Sequence, residues 1–390
     1  MSKKIKILHI LCDSNIGGAG RLLYNLSSCI DRNRFNFVFI FFKESRLIKL
    51  FKPLGFKIYL AENCKDRSFD INFIFEAREI IRNELPDIVH THSSLSGRIA
   101  SILAGIPRSG NIYTKHCVFD VPTIRKTLPS RIIYRIIDDF LSGKVIAVAD
   151  AARDELITLG VKKSKIEVII NGAHKINKTT KKEQEALRKR LGIHENDFVV
   201  GISARLEEYK GHIYFLKAAL YAMKNGDKIK FLILGDGSMR SRLENFAKNM
   251  GLIESNTVIF LGFKEDITKY INLFDVNVNC SIGTETSSLS ISEALSIGKP
   301  AIVSDYGGNP NMIKHGITGF VIKKQDPSAL YNSIIKLKSN ENHIYDIFSS
   351  NAEKDYNERF SDKKMTTEYE KMYFKIARNR YVSIDKMPEI

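Results

Sequence analysis

The chain has 390 residues, of which 44% are hydrophobic and 27% charged, and a formal net charge of +16. That length exceeds one ordinary core and suits two domains, and the composition excludes a disordered chain. No apolar run reaches the roughly 18 residues of a membrane span, and the basic residues are too scattered among aromatics to suggest nucleic acid.

The N-terminus MSKKIKILHILCDSNIGG pairs a basic start with an apolar run but has no small-residue cleavage site, so it reads as a first strand. DSNIGGAGRLL follows, with Gly17, Gly18 and Gly20 opening a helix where backbone N–H groups can receive a phosphate. A nicotinamide fingerprint is the rival, with Glu44 ending the second strand, but Leu23 stands where its third glycine or alanine belongs. The runs FNFVFIFF, FKIYLAE, DIVHTHS, NIYTKH, KVIAVAD and IEVIING continue as strands without polar alternation, as expected of a parallel sheet buried on both faces. His90 and His92 are expected after the fourth strand and His116 after the fifth. His116 is the one expected to meet a reacting substrate, and zinc is disfavoured because no fourth ligand accompanies the three. TIRKTLPSRIIYRIIDDF sets Arg125, Lys126, Arg131 and Arg135 near an apolar helix face. Most of the basic excess lies before residue 170, which suits peripheral contact with an anionic membrane; a merely solvated basic surface is the plain alternative. Cys12, Cys29, Cys64, Cys117 and Cys280 form no CxxC pair, as expected of reduced thiols in a cytoplasmic protein.

From 176 to 194 the chain turns polar and lysine-rich, which reads as a linker between an N-terminal domain (1–175) and a C-terminal one (195–365), with a helical tail (366–390) able to cross back. FVVGISARL, KIKFLILGDG, TVIFLGF, VNVNCS, KPAIVSDYGG and GFVI then repeat the strand pattern. Two doubly wound parallel α/β domains facing a central cleft are expected, with ligands beyond the carboxyl ends of the strands. There, SARLEEYKGH offers Arg205 and Lys210, two cations able to straddle a diphosphate. In TETSSLSISEAL a helix start near Ser288 and Leu289 presents N–H groups to an anion, Glu293 lies within reach of ribose hydroxyls, and Glu285 reaches toward a sugar. Ser290 and Glu293 also match a capping box, the competing explanation for that glutamate.

Taken together, the Gly17-Gly18 loop, DIVHTHS, YTKH, IINGAH, ARLEEYKGH, LILGDGSMRSRL, LGF and the pair Glu285 and Glu293 resemble the retaining glycosyltransferases of the GT-B fold, family 4 or group 1, over about residues 5 to 345. The resemblance implies that Arg205 and Lys210 hold a donor diphosphate with Ser288, Leu289, Gly17 and Gly18, and that Glu293 binds the nucleotide ribose. It further implies that Glu285 and His116 contact the transferred sugar, and that Phe263 and Lys264 meet the base. Thr286 departs from the glycine common at that position and leaves the donor less defined, a UDP-sugar being favoured over a GDP-sugar. The implied acceptor is a glycan or lipid-linked saccharide at the inner face of the membrane, and the implied reaction a front-face displacement. No Asp-x-Asp occurs, so no metal and no cofactor is expected. A nucleotide-sugar epimerase, a nicotinamide-dependent dehydrogenase and a non-catalytic binding module are the alternatives, told apart by turnover of donor alone, cofactor absorbance, or binding without turnover.

Overall fold

In the phenylalanine-rich run Phe35–Phe42 only Asn36 is exposed. Phe35, Phe37, Phe39 and Phe41 join one core and Val38, Ile40 and Phe42 another, because successive side chains of a strand point to opposite faces. In the computed structural model, which describes residues 3–118 and 121–384, this strand lies in the first of two units. Unit 1 is Met1–Gly172 with Asp362–Ile390, and unit 2 is Ala173–Ser361.

Unit 1 runs β1 (Ile5–Leu11), α1 (Gly18–Cys29), β2 (Phe35–Phe42), α2 (Leu47–Phe51), β3 (Lys57–Ala61), α3 (Ile71–Glu84), β4 (Ile88–His92) and α4 (Leu95–Leu103). It continues through β5 (Asn111–Lys115), α5 (Leu128–Leu141), β6 (Lys144–Ala147), α6 (Asp150–Thr158) and β7 (Ile166–Val168). The sheet order is β3-β2-β1-β4-β5-β6-β7, all parallel. Leu22, Leu23 and Leu26 of α1 cover one face, and Phe73, Ile74, Ala77 and Ile81 of α3 the other. Gly20 lets α1 approach Leu47 closely, since a Cβ there would force the end of the Leu47 side chain to shift.

Helix α5 is attached by charge more than by apolar burial: Asp138 and Leu141 are its buried residues. Asp138 pairs with Arg98 and with Lys165, each at 2.7 Å, and Asp139 with Lys162 at 2.6 Å. Leu128, Ile132, Ile133, Ile136, Ile137 and Phe140 are exposed on it, next to the exposed cations Arg125, Lys126, Arg131 and Arg135.

Unit 2 runs α7 (Lys181–Arg190), β8 (Phe198–Ser203), α8 (His212–Lys224), β9 (Ile229–Leu234), α9 (Arg240–Asn249), β10 (Val258–Gly262), α10 (Thr268–Ile271) and β11 (Val276–Asn279). Then come α11 (Leu289–Leu295), β12 (Ala301–Ser304), α12 (Asn309–Met312), β13 (Gly319–Ile322), α13 (Pro327–Ser339) and α14 (Ile344–Asp355). Its parallel sheet is ordered β10-β9-β8-β11-β12-β13. Residues 176–194, read from the sequence as a linker, are instead part of this unit. Thr180 and Glu183 cap α7 reciprocally, and Ile176, Leu187 and Ile193 enter the core beside Val199 and Phe274. A helix that buries one leucine among lysines and glutamates looks like solvent-exposed chain in sequence.

The last helix, α15 (Asp362–Ile384), belongs to unit 1, so the return falls at Asp362, before the expected boundary at 366. It adds Met365, Tyr369, Met372, Tyr373 and Ile376 to the core beside α1. The five cysteines are free thiols. Among the described residues no helix is long and apolar enough to cross a membrane.

Candidate active site

In unit 2 the chain builds outward from β8 through β9 to β10, then crosses to β11 on the other side. The loops leaving β8 and β11 therefore diverge, and such a switch point is where a doubly wound sheet opens a ligand crevice. The β8 loop carries Arg205 and Lys210, and the β11 loop carries Glu285 and leads into α11.

Lys210 and Glu285 meet directly. The Lys210 Nζ donates to Glu285 Oε2 at 2.7 Å, and the same oxygen accepts from Asn279 Nδ2 at 3.0 Å and Ser281 Oγ at 2.8 Å. Burial opposes the charge on this carboxylate, but the Lys210 ammonium and the two further donors outweigh it and hold the pKa below the ordinary glutamate value. Arg205 is exposed and joins the group through Tyr209, donating from Nη2 to the Tyr209 hydroxyl at 2.7 Å. The backbone carbonyl of Tyr209 in turn receives the N–H of Ile282 at 2.8 Å, which ties the β8 loop to the β11 loop.

The Glu285 loop is pressed into place from β12. Gly307 (φ 58°) and Gly308 lie against the carbonyls of Glu285 and Thr286, and a Cβ on either would collide with them. Gly308 N–H also donates to the Glu285 carbonyl at 3.2 Å. The left-handed residue of the loop is Thr284 (φ 47°), an uncommon conformation for a β-branched side chain; position 286 does not carry the positive φ that would favour glycine.

Helix α11 starts from Ser288 as its N-cap, with no side-chain cap bond, and Ser290 lies inside the helix. The capping-box explanation of Glu293 therefore fails. Glu293 is half-buried one turn along, and Leu289 is half-buried at the helix start. Phe263 and Lys264 follow edge strand β10; Phe263 is exposed, and Lys264 Nζ sits 5.8 Å from the centre of the Tyr270 ring.

In unit 1, Gly17 is the N-cap of α1 with extended backbone. A Cβ at Gly18 would meet nothing within 4 Å, and one at Gly17 only Asp13 Oδ2 at 3.8 Å, so packing within the chain does not demand glycine at either. His90 and His92 lie within β4, not after it. His90 bonds Thr114 Oγ1 at 2.6 Å and the Tyr373 hydroxyl at 2.7 Å, the structural role usual for a buried histidine. His116, just past β5, has Nε2 at 2.9 Å from His92 Nδ1, and burial lowers its pKa to about 4. Ring nitrogens of His9, His90 and His92 lie within 4.8 Å of one another, but these nitrogens are largely occupied by bonds to each other and to Thr114, Tyr373 and His116.

The sequence missed Tyr209, Asn279, Ser281 and the Gly307-Gly308 pair. The two glycines alone had a readable signal, since a Gly-Gly step just past an apolar strand asks what comes close to its backbone.

Two doubly wound parallel sheets in one chain are the architecture of the two-domain, Rossmann-like GT-B fold. The profile described as "Glycosyl transferases group 1" matches residues 183–355, and that described as "Glycosyltransferase Family 4" matches residues 16–174. The chain belongs to the group 1 glycosyltransferases of family 4 and is an enzyme of that kind. It is 28% identical to the UDP-Gal:alpha-D-GlcNAc-diphosphoundecaprenol alpha-1,3-galactosyltransferase of Escherichia coli, over 97% of this chain and 98% of that protein. It is 22% identical to the N-acetyl-alpha-D-glucosaminyl L-malate synthase of Bacillus anthracis, over 80% of each chain. Among solved structures, Anabaena Alr3699/HepE in complex with UDP superposes with a TM-score of 0.79 at 22% identity, covering 95% of this chain and 99% of that one. A glycosyltransferase from Rickettsia africae gives 0.82 at 19% identity, covering 96% and 99%.

Proposed function

We propose that the enzyme moves a sugar from a UDP-sugar to a hydroxyl of a lipid-linked saccharide in cell-envelope polysaccharide synthesis, with retention of configuration and without a metal ion or cofactor. The observation that carries this reading is the Lys210–Glu285 pair at the switch point of unit 2, in which a half-buried Lys210, Asn279 and Ser281 fix a buried Glu285 from three sides. The Escherichia coli relative, aligned over nearly its whole length, supports the donor and acceptor classes through its own named substrates.

In this reading Arg205 and Lys210 receive the diphosphate as it departs, with the N–H groups of Ser288 and Leu289. Glu293 holds the ribose, and Phe263 and Lys264 meet the base. The bonds to Glu285 converge on Oε2, which leaves Oε1 for the transferred sugar. The acceptor oxygen bonds to the anomeric carbon on the face the phosphate leaves, and the departing phosphate oxygen takes the acceptor proton. The absence of any Asp-x-Asp supports charge neutralisation by side chains, and turnover is expected to survive EDTA.

A thermal-shift panel of nucleotide sugars tests the donor seat. UDP-sugars should raise the melting temperature more than GDP-sugars, and Glu293→Ala should abolish the rise; equal protection of the variant would reject the ribose assignment.

A lipid-linked acceptor calls for a membrane-facing surface, and the exposed apolar face of α5 with its cations meets that requirement at the cytoplasmic side. Each of Arg125, Lys126, Arg131 and Arg135 near an anionic surface adds about 1 kcal/mol. Vesicles containing phosphatidylglycerol should pellet the protein at low salt, less at high salt, and much less after Ile133→Glu with Ile137→Glu. No pelleting at either salt concentration would remove the membrane from the proposal.

A further inference from the structure

The loop after β8 is laced to both of its neighbours in unit 2. Leu206 N–H donates to the Asp236 carbonyl at 3.0 Å, and the Leu206 carbonyl accepts from Met239 N–H at 2.8 Å. Ser238 Oγ donates to Glu207 Oε2 at 2.7 Å, so three bonds tie the loop to the segment that follows β9. On the other side, the Tyr209 carbonyl accepts from Ile282 N–H at 2.8 Å and from Gly283 N–H at 3.2 Å. The short turn Glu208–Lys210 ends at Gly211 (φ 68°), where a Cβ would strike the Cys280 carbonyl. The backbone carrying Arg205, Tyr209 and Lys210 is thus set by its neighbours rather than by a ligand.

The side chains are not set equally. Lys210 is held by the buried Glu285. Arg205 is exposed, and a long exposed side chain gives up rotamer freedom when it settles on an anion. Tyr209 reduces that cost, because Arg205 Nη2 donates to its hydroxyl at 2.7 Å. Its ring borders both cations, with Arg205 Cζ 6.0 Å and Lys210 Nζ 5.6 Å from the ring centre, the range over which an aromatic face attracts a cation. Two like charges on one loop repel each other, and Tyr209 offers each of them a favourable contact in place.

We propose that Tyr209 is a positioning residue for the phosphates of the donor: its hydroxyl holds the Arg205 guanidinium at the ring that Lys210 also borders, so that both cations are in place when a diphosphate arrives. This rests on the reading that Arg205 and Lys210 receive the diphosphate. Tyr209 then contributes to the binding of phosphorylated ligands through Arg205, and contributes nothing to the binding of a bare nucleoside.

Dissociation constants of the full chain for UDP, by calorimetry, and for uridine, by ligand-detected NMR, test this. Tyr209→Phe removes the hydroxyl and keeps the ring and the carbonyl that accepts from Ile282 and Gly283, so the loops stay tied. It is expected to weaken UDP about tenfold, as for loss of a hydrogen bond to a charged group, and to leave uridine unchanged. In an Arg205→Ala background the same substitution should change UDP affinity by less than about twofold, because the group it acts through is gone. Unchanged UDP affinity in Tyr209→Phe would overturn the proposal, as would an equal loss for uridine, which marks a general disturbance of the site. A tenfold loss that persists without Arg205 would also overturn it. If the wild type binds UDP no more tightly than uridine, the diphosphate reading itself fails and this role falls with it; a UDP preference indifferent to Tyr209 removes the positioning role and leaves that reading standing.

Discussion

Lys210→Met is expected to lose stability and turnover by amounts that can be separated. The substitution removes the ammonium at 2.7 Å from a buried Glu285 and leaves that carboxylate with only the Asn279 and Ser281 donors. Breaking a buried ion pair from one side typically costs about 3–5 kcal/mol, because the remaining charge stays desolvated. Removing one preorganised group that stabilises developing charge typically costs about 100- to 1,000-fold in turnover. Adding Glu285→Gln to Lys210→Met takes away the unpaired charge while keeping the shape, so the double variant should recover most of the stability and none of the turnover. Urea unfolding and UDP-sugar turnover on the three proteins measure both quantities. A single variant as stable as the wild type would show that the pair does not hold the β8 and β11 loops together.

Acidification from pH 7.5 to 5 should destabilise the protein steeply. His9, His90, His92, His116 and His212 are all held neutral by burial, with His116 lowered to about 4 and His212 to about 3. An unfolded histidine titrates near 6.5. Since the folded values are depressed, the stability these groups contribute is complete above about pH 6.5 and is lost as pH falls toward the folded values. At pH 5 the unfolded chain has taken up protons that the folded chain refuses. For His116 and His212 this amounts to about 2 kcal/mol each, before any contribution from the other three. Scanning calorimetry across this range should show the melting temperature falling by about 10 °C or more. A melting temperature unchanged from pH 7.5 to 5 would mean that these rings accept protons in the folded protein.

Much of the architecture was legible because both sheets are parallel and covered on both faces. Their strands are plain apolar runs, and KIKILHIL, FVVGIS or KPAIVS needs no partner to be recognised. The cations and acids of unit 2 were legible by position, since Arg205, Lys210 and Glu285 stand just past strand ends. Their mutual arrangement was not. Nothing in the separate stretches SARLEEYKGH and GTETSS says that Lys210 and Glu285 bond to each other, because that contact depends on β8 and β11 being neighbours in the sheet. Residues 176–194 were hidden for a different reason: α7 buries chiefly Leu187, and its cap at Thr180 is a local signal outweighed by the surrounding lysines. A helical tail crossing back was legible, but the full burial of its Tyr369 and Tyr373 against particular strands was not, because that packing partner lies more than 300 residues earlier in the chain.

The chain leaves unit 1 at Gly172 and comes back only at Asp362. During synthesis the ribosome therefore completes all of unit 2 before it delivers Met365, Tyr369, Tyr373 and Ile376 to the hydrophobic layer over Phe35 and Phe37. The first-made half of the protein must wait, with aromatic surface uncovered, for the last-made helix. Premature termination before that helix would leave a nascent product with an unsealed sheet and a strong tendency to aggregate.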